Sequence, residues 1–323
     1  MPSSQNAGSA KRINYYLERL IPVTTPLAIA MGFLLPYFFI NFRPFIMYLF
    51  GIMTFSGALK LKASELGAAV RSPVPILLFF ITAHIVMPVA AMFISSVFFT
   101  DPDVVTGFVL LFAGPTAVSG FIWVSILKGD MALCLTLILL DTLLAPLIVP
   151  GSISILMGEK VALEAAGIAL SLLLMIVVPT IIGVSVNEAS KGRIPSLICP
   201  YFDPAAKICL MVVIATNASI IAPVINFRDP LVWQVAVLTI VLTFAGFFLV
   251  KAAAIIGRCR APKDISIVIS GGLRNNSAIM TIAVTFFPEA AVLPTLLSII
   301  FQQSIAAIMG KLLVRKKAHL KNN

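Results

Sequence analysis

Ten stretches of mostly apolar residues follow one another along this chain, at about 20–40, 44–60, 73–98, 104–127, 130–157, 161–186, 206–225, 231–257, 265–287 and 290–313. Each has about the 20 residues that a helix needs to cross the hydrocarbon of a bilayer. Prolines, asparagines and charges punctuate the joins, at Asn41–Pro44, Lys60–Pro73, Asp101–Asp103, Lys128–Asp130, Glu159–Lys160, Asn187–Pro204, Asn226–Pro230, Arg258–Asp264 and Pro288–Glu289. The composition agrees: 60% of the 323 residues are hydrophobic and 11% are charged, under half the roughly 25% charged residues of a soluble domain. Most of the surface must therefore face something other than water. That excludes a cytosolic enzyme, a nucleic-acid binder and a disordered scaffold. The four cysteines (Cys134, Cys199, Cys209 and Cys259) show no paired spacing, so neither a disulfide framework nor a metal knot is expected. Met1–Ala10 is polar and small and reads as a short tail rather than a signal peptide.

The net charge of +10 is best placed in loops at a membrane surface. Loops after the odd-numbered stretches hold Arg43, Lys160 and Arg228, three basic residues. The termini and the even-numbered loops, counting the helix ends beside them, hold nineteen: Lys11, Arg12, Arg19, Lys60, Lys62, Arg71, Lys128, Lys191, Arg193, Lys207, Lys251, Arg258, Arg260, Lys263, Lys311, Arg315, Lys316, Lys317 and Lys321. Positive charge collects on the cytoplasmic side, so both termini are expected there, in a multi-pass protein of the plasma (inner) membrane. Ten spans divide as five and five. An odd number per half makes the second half enter from the opposite side, which is the arrangement of an inverted repeat. The expected divisions are a tail at 1–19, a first repeat at 20–158, a second at 159–315 and a tail at 316–323.

The fourth span of each half is interrupted. Span 4 contains Gly114-Pro115-Thr116-Ala117-Val118-Ser119-Gly120, and span 9 contains Ser270-Gly271-Gly272-Leu273-Arg274-Asn275-Asn276-Ser277. Gly and Pro are poor helix formers, and an unwound turn exposes backbone groups that lipid cannot satisfy. Such a turn survives only where protein or a wet cavity supplies partners. Matching interruptions in two halves point to a transporter's binding site, where half-helix N-termini present N–H groups to an anion.

At these residues the chain resembles the bile acid:sodium symporter family. The resemblance is carried by Phe55-Ser56-Gly57-Ala58-Leu59-Lys60-Leu61, by His84-Ile85-Val86-Met87-Pro88, by the Gly114–Gly120 break and by Lys128-Gly129-Asp130-Met131-Ala132-Leu133 leading to Ala145-Pro146. Gly271–Asn276 and the Pro294…Gln302-Gln303 helix complete it. It implies an all-α fold of ten helices in two inverted repeats, with helices 4 and 9 broken and crossing. It also implies a core domain (about 73–157 and 231–313) and a panel domain (about 20–60 and 161–225). Members move organic anions such as bile acids, pantoate-like acids, pyruvate and sulfated steroids, usually with sodium. In the sodium-coupled pattern the second break opens with a Glu serving both sodium sites and carries a Gln a few residues on. Here those places hold Ser270 and Arg274. The hydroxyl ligands of span 5 fall on Cys134 and Ile138, Ser119 is followed by Gly120 where the pattern has Ser-Asn, and the span 3 Gln falls near Ala83–His84. Sodium prefers hard oxygen donors and is repelled by a guanidinium, so conventional sodium coupling is not expected.

Two charges lie inside spans: Asp141 in span 5 and Arg274 in span 9. Counted from the cytoplasmic ends near Asp130 and Asp264, they sit at about 16 and 15 Å, the same depth. An unpaired charge there costs roughly 2.5–3.5 kcal/mol or more, so partners are expected. One reading pairs Arg274 with Asp141 as a built-in cation in place of sodium. A second makes Asp141 a proton carrier, and a third leaves a static ion pair. Asn275 and Asn276 fall at or beside the family's substrate-binding Asn. Thr116 and Ser119 contact substrate or cap a half-helix. Gln302 and Gln303 face the cavity or a neighbouring helix. His84 titrates near neutral pH or serves as an interhelical donor. No metal site and no resident cofactor are expected, sodium remaining a possible coupling ion. The lipid bilayer and a small organic anion are the expected partners, and nucleic acid is not one. The expected activity is secondary transport by alternating access. Proton- or sodium-coupled symport, an ion channel and an intramembrane enzyme are the alternatives.

Overall fold

The computed structural model describes residues 23–61, 73–158, 164–223 and 225–321, with side chains through Leu313. Of the basic residues that set the expected orientation, Lys11, Arg12, Arg19, Lys62, Arg71 and Lys160 lie outside the described residues, as does the 1–19 tail. The helices in chain order are α1 (Val23–Leu34), α2 (Pro36–Ala58), α3 (Pro73–Phe98), α4 (Pro102–Ala113), α5 (Gly120–Ile126), α6 (Met131–Met157), α7 (Ala165–Ala189), α8 (Arg193–Ile221), α9 (Pro230–Ile256), α10 (Lys263–Gly272), α11 (Asn276–Phe286) and α12 (Glu289–Lys321). Among the described residues there is no strand beyond one isolated bridge.

Seven of these helices, α2, α3, α6, α7, α8, α9 and α12, are long and apolar enough to cross a membrane. The expectation of ten single spans differs from this for local reasons. Stretches 104–127 and 265–287 are each divided into two short helices, α4 with α5 and α10 with α11, by the Gly- and Pro-containing breaks. Stretch 20–40 is divided at Leu35 (φ −125°, ψ 51°), where Pro36 opens α2. The join expected at Asn41–Pro44 is instead a 3₁₀ turn, Ile40–Phe45, within α2. The long loop expected at Asn187–Pro204 shrinks to Ser190–Gly192, because α8 starts at Arg193 and carries Pro200 and Pro204 inside it. Three of the expected joins act as caps: Asp101, Asp130 and Asp229 accept N–H groups from Asp103, Leu133 and Leu231 at the starts of α4, α6 and α9.

The chain divides into two compact units. One comprises α1, α2, α7 from Leu170 onward and α8; the other comprises α3–α6, the start of α7 and α9–α12. In the first unit, α2 packs on α7 and α8. Gly32 of α1 lies so close to the Ala215 carbonyl that a Cβ would collide with it. Small residues at such contacts let helices gain dispersion energy where lipid offers no hydrophobic drive. The end of α2 is held by Ser56 Oγ donating to Asp203 (3.0 Å), by Lys60 Nζ on the same carboxylate (2.7 Å) and by Asn187 Nδ2 donating to the Leu61 carbonyl (2.8 Å).

In the second unit, α4 packs on α3, α6 and α12, and α10 packs on α6 and α9. Gly107 brings α4 against the Ala291 carbonyl of α12, a contact with no room for a side chain. Phe79, Leu133, Leu137, Ile138, Phe247, Val250 and Ile267–Ile269 fill the interior around the second break. Large apolar side chains such as Ile155 (83% exposed) and Ile256 (80%) point outward, which suits lipid and not water. Within α3 the backbone widens into a π-turn at Thr82–Val86: Met87 N–H reaches back five residues to the Thr82 carbonyl. The next residue, Pro88, has no N–H to give, so the Ala83 carbonyl is left without an intrahelical donor.

Candidate functional site

Four half-helix ends meet inside the second unit, and each brings orphan backbone groups that a low-dielectric interior penalises. They are satisfied by one another. The two breaks pair as an antiparallel bridge between Thr116 and Arg274. Ala117 N–H donates to the Leu273 carbonyl (3.2 Å) and Asn275 N–H to the Pro115 carbonyl (2.8 Å). Thr116 Oγ1 donates to the Ser270 and Leu273 carbonyls at the end of α10. Gln302, from α12, acts as a substitute peptide unit: its Oε1 accepts Arg274 N–H (3.0 Å) and its Nε2 donates to the Arg274 carbonyl (2.9 Å). Asn275 caps α11 through Ala278 N–H (3.3 Å).

The charges take a different arrangement from the expected Arg274–Asp141 contact pair. Arg274, 2% exposed, donates through Nη2 to the Ala83 carbonyl (2.9 Å) and through Nη1 to the Gly114 carbonyl (3.3 Å). These are the carbonyl freed by Pro88 and the one that ends α4, so the planar guanidinium finds two ready acceptors and serves as a cation at a helix C-terminus. Asp141, fully buried, accepts Thr116 N–H at Oδ2 (2.6 Å) and lies 2.8 Å from His84 Nε2 at Oδ1. That second approach is off the hydrogen-bonding direction: Oδ1 and both ring nitrogens of His84 have no aligned partner. It is a close electrostatic contact and not a formed hydrogen bond. Thr116 links the two charges: its amide donates to Asp141, and it pairs with Arg274 in the bridge.

The remaining candidates fall into two groups. Ser270 is buried and donates to Cys134 Sγ (3.5 Å). Asn276 is buried and donates to Ser298 Oγ (2.8 Å), leaving its own Oδ1 unpartnered. With Thr116, Gln302, Asp141, His84 and Arg274 these form the inner set around the bridge between the two breaks. Ser119 and Asn275 are half-buried and Gln303 is exposed. Gln303 links the outer group through Trp123 Nε1, which donates to its Oε1 (3.0 Å), and through its own Nε2 toward Ser119 Oγ (3.5 Å). Sequence reasoning passed over Ser298, which accepts from Asn276 (2.8 Å). It quoted Pro88 only as part of the resemblance; that proline's missing N–H is visible in the sequence, although the Arg274 guanidinium that takes the freed Ala83 carbonyl is not.

A family model described as "Sodium Bile acid symporter family" matches residues 47–226. The chain is 34% identical to the "Uncharacterized protein YbaS" of Bacillus subtilis over 299 residues, which is 91% of this chain and 97% of that one. It is 24% identical over 311 residues to the "Probable sodium/metabolite cotransporter BASS3, chloroplastic" of Oryza sativa subsp. japonica, covering 96% of this chain and 71% of that one. It is 21% identical over 288 residues to the "Uncharacterized sodium-dependent transporter YocS" of Bacillus subtilis, covering 88% of each. Two helical interruptions joined at their centres, apolar helices long enough to span a bilayer and these similarities lead to one conclusion: the chain belongs to the sodium bile acid symporter family, as a multi-pass membrane transporter of a small substrate and not an enzyme.

Proposed function

We propose that the chain is a secondary transporter that carries a small organic anion by alternating access, with Arg274 standing as a tethered cation where other members bind sodium. The observation that carries this reading is the guanidinium seated on the Ala83 and Gly114 carbonyls beside the bridge between the two breaks. A guanidinium there supplies fixed positive charge and occupies oxygens that a metal ion would need. The donor set argues the same way: the surrounding side chains are Ser270, Cys134, Thr116 and Gln302, with the single carboxylate of Asp141 already engaged. Substrate then meets the outer group, Ser119, Asn275 and Gln303, at the start of α11. There the helix dipole and the nearby guanidinium both favour negative charge.

In this reading the ten stretches cross an inner membrane as two inverted five-helix repeats, with both termini cytoplasmic and α4–α5 and α10–α11 as the broken fourth members. The unit that contains the breaks acts as the core and the other as the panel. Movement of one against the other exposes the substrate to each side in turn. A thermal-shift screen of purified protein against organic anions, with and without sodium, tests it. A bound anion at a hundred times its Kd stabilises by about 2.7 kcal/mol, and Asn275→Ala abolishes that gain. Stabilisation only by cations or neutral solutes refutes the anion. An anion that binds and is transported only with sodium refutes the tethered cation.

A further inference from the structure

We propose that His84 and Asp141 form a proton-binding pair that loads one proton with each substrate anion, making transport proton-coupled; the substrate half of this statement rests on the anion reading above. The pair is buried, with His84 at 7% and Asp141 at 0% exposure, and Nε2 and Oδ1 are 2.8 Å apart. Two lone pairs at that separation repel, so one of the two atoms carries a proton, although they are not aligned as a hydrogen bond. His84 Nδ1 is a second buried nitrogen with no partner, which leaves it open to take a further proton. The Phe80 ring stacks on the imidazole (5.6 Å between centroids) and Phe79 meets it edge-on (5.9 Å).

Charge balance supplies the stoichiometry. With one proton in the pair, the negative charge of Asp141 and the positive charge of Arg274 sum to zero. A substrate anion then leaves the site at minus one in a low-dielectric interior, which is costly. A proton from bulk water, added to Nδ1 as the anion binds and released to the other side with it, restores neutrality. The site is otherwise free of ionisable groups apart from the Cys134 thiol. Among the described residues, and apart from Arg274, the elements packed around the pair carry charges only toward their ends: Asp101, Asp103, Asp130, Asp229, Lys251, Lys263 and Asp264, with Lys251 paired to Asp264 at 2.8 Å. Proton occupancy also reaches the substrate region directly, because the other oxygen of Asp141 holds Thr116 N–H in the first break (2.6 Å).

Two measurements test the pair. Proteoliposomes without sodium, enclosing a pH-sensitive dye, are given labelled taurocholate, whose sulfonate keeps it from leaking across as a neutral acid. A pH gradient acid on the substrate side should raise initial uptake several-fold and acidify the lumen. At one proton per anion, each pH unit sustains about a tenfold accumulation. His84→Gln and Asp141→Asn should each abolish the response to the gradient. Independently of any substrate, the protein has two histidines, His84 and His319, so ring-nitrogen NMR in nanodiscs resolves them. The His84 signal should respond to a change of pH and move when Asp141→Asn is introduced, while that of His319 does not move with the substitution. Anion uptake indifferent to the gradient, or an inert His84 ring, overturns the proton pair. If taurocholate does not move under any condition, the anion reading loses its support, and the ring titration alone decides the pair.

Discussion

Arg274→Met keeps an unbranched apolar stem and removes the guanidinium. The bond from Nη2 to the Ala83 carbonyl, at 2.9 Å, has ordinary geometry. A charged donor of this kind contributes about 1.5–3 kcal/mol. The bond to Gly114, at 3.3 Å, is long and counts at the low end of that range. Together they give about 3–4 kcal/mol, since both carbonyls are then buried without donors. Asp141, with 0% exposure, also loses the positive charge nearest in kind to balance it, and its own negative charge acts on the guanidinium in the wild type. The single variant is therefore expected to lose about 3–5 kcal/mol, the cost typical of stranding a buried charge. Adding Asp141→Asn removes the stranded charge, so the double variant should be more stable than the two single losses combined predict, by about 1 kcal/mol or more. Reversible unfolding of the four proteins in mixed micelles gives the cycle directly. Additivity within about 0.5 kcal/mol refutes the electrostatic link between the two residues.

Three further outcomes follow from the same geometry. Pro88→Ala returns an N–H to α3, which competes with Arg274 for carbonyls at the π-turn; uptake should fall, and hydrogen exchange at residue 88 should show a protected amide. Asn275→Ala removes the cap of α11, costing about 1 kcal/mol of stability, and should abolish ligand-induced stabilisation, a larger effect than this loss of folding stability explains. Cys259 lies in the loop between α9 and α10, with its thiol raised above the ordinary value by burial and then by Asp264, Lys263 opposing. Its labelling by a membrane-impermeant maleimide should be slow at neutral pH and quicken as pH rises, and only from the cytoplasmic side if the basic loops are inside.

Much of the site was legible before any coordinates. Gly114-Pro115 and Gly271-Gly272 announce their breaks through residues that cannot sustain a helix, and Asp141 and Arg274 stand out because charge is so scarce elsewhere. The contacts among them were not legible. Equal depth made Arg274 and Asp141 look like partners, but depth gives one coordinate out of three. The guanidinium turned instead to carbonyls freed by Pro88 and by the end of α4, and His84, a residue with two open readings, took the place beside the carboxylate. Gln302 likewise had to be seen to bond both backbone groups of Arg274 before its role in holding the break was apparent.

Apolar length, charge scarcity and the position of helix-breaking residues are local properties written in one dimension. They decided that this chain forms helices for a bilayer and where two of them part. Which orphan carbonyl meets which donor depends on the approach of segments 25 to 191 residues apart. That approach depends on small contacts such as Gly107 against Ala291. Only packing in three dimensions sets those distances, because a buried polar group accepts whatever partner the fold brings within about 3 Å.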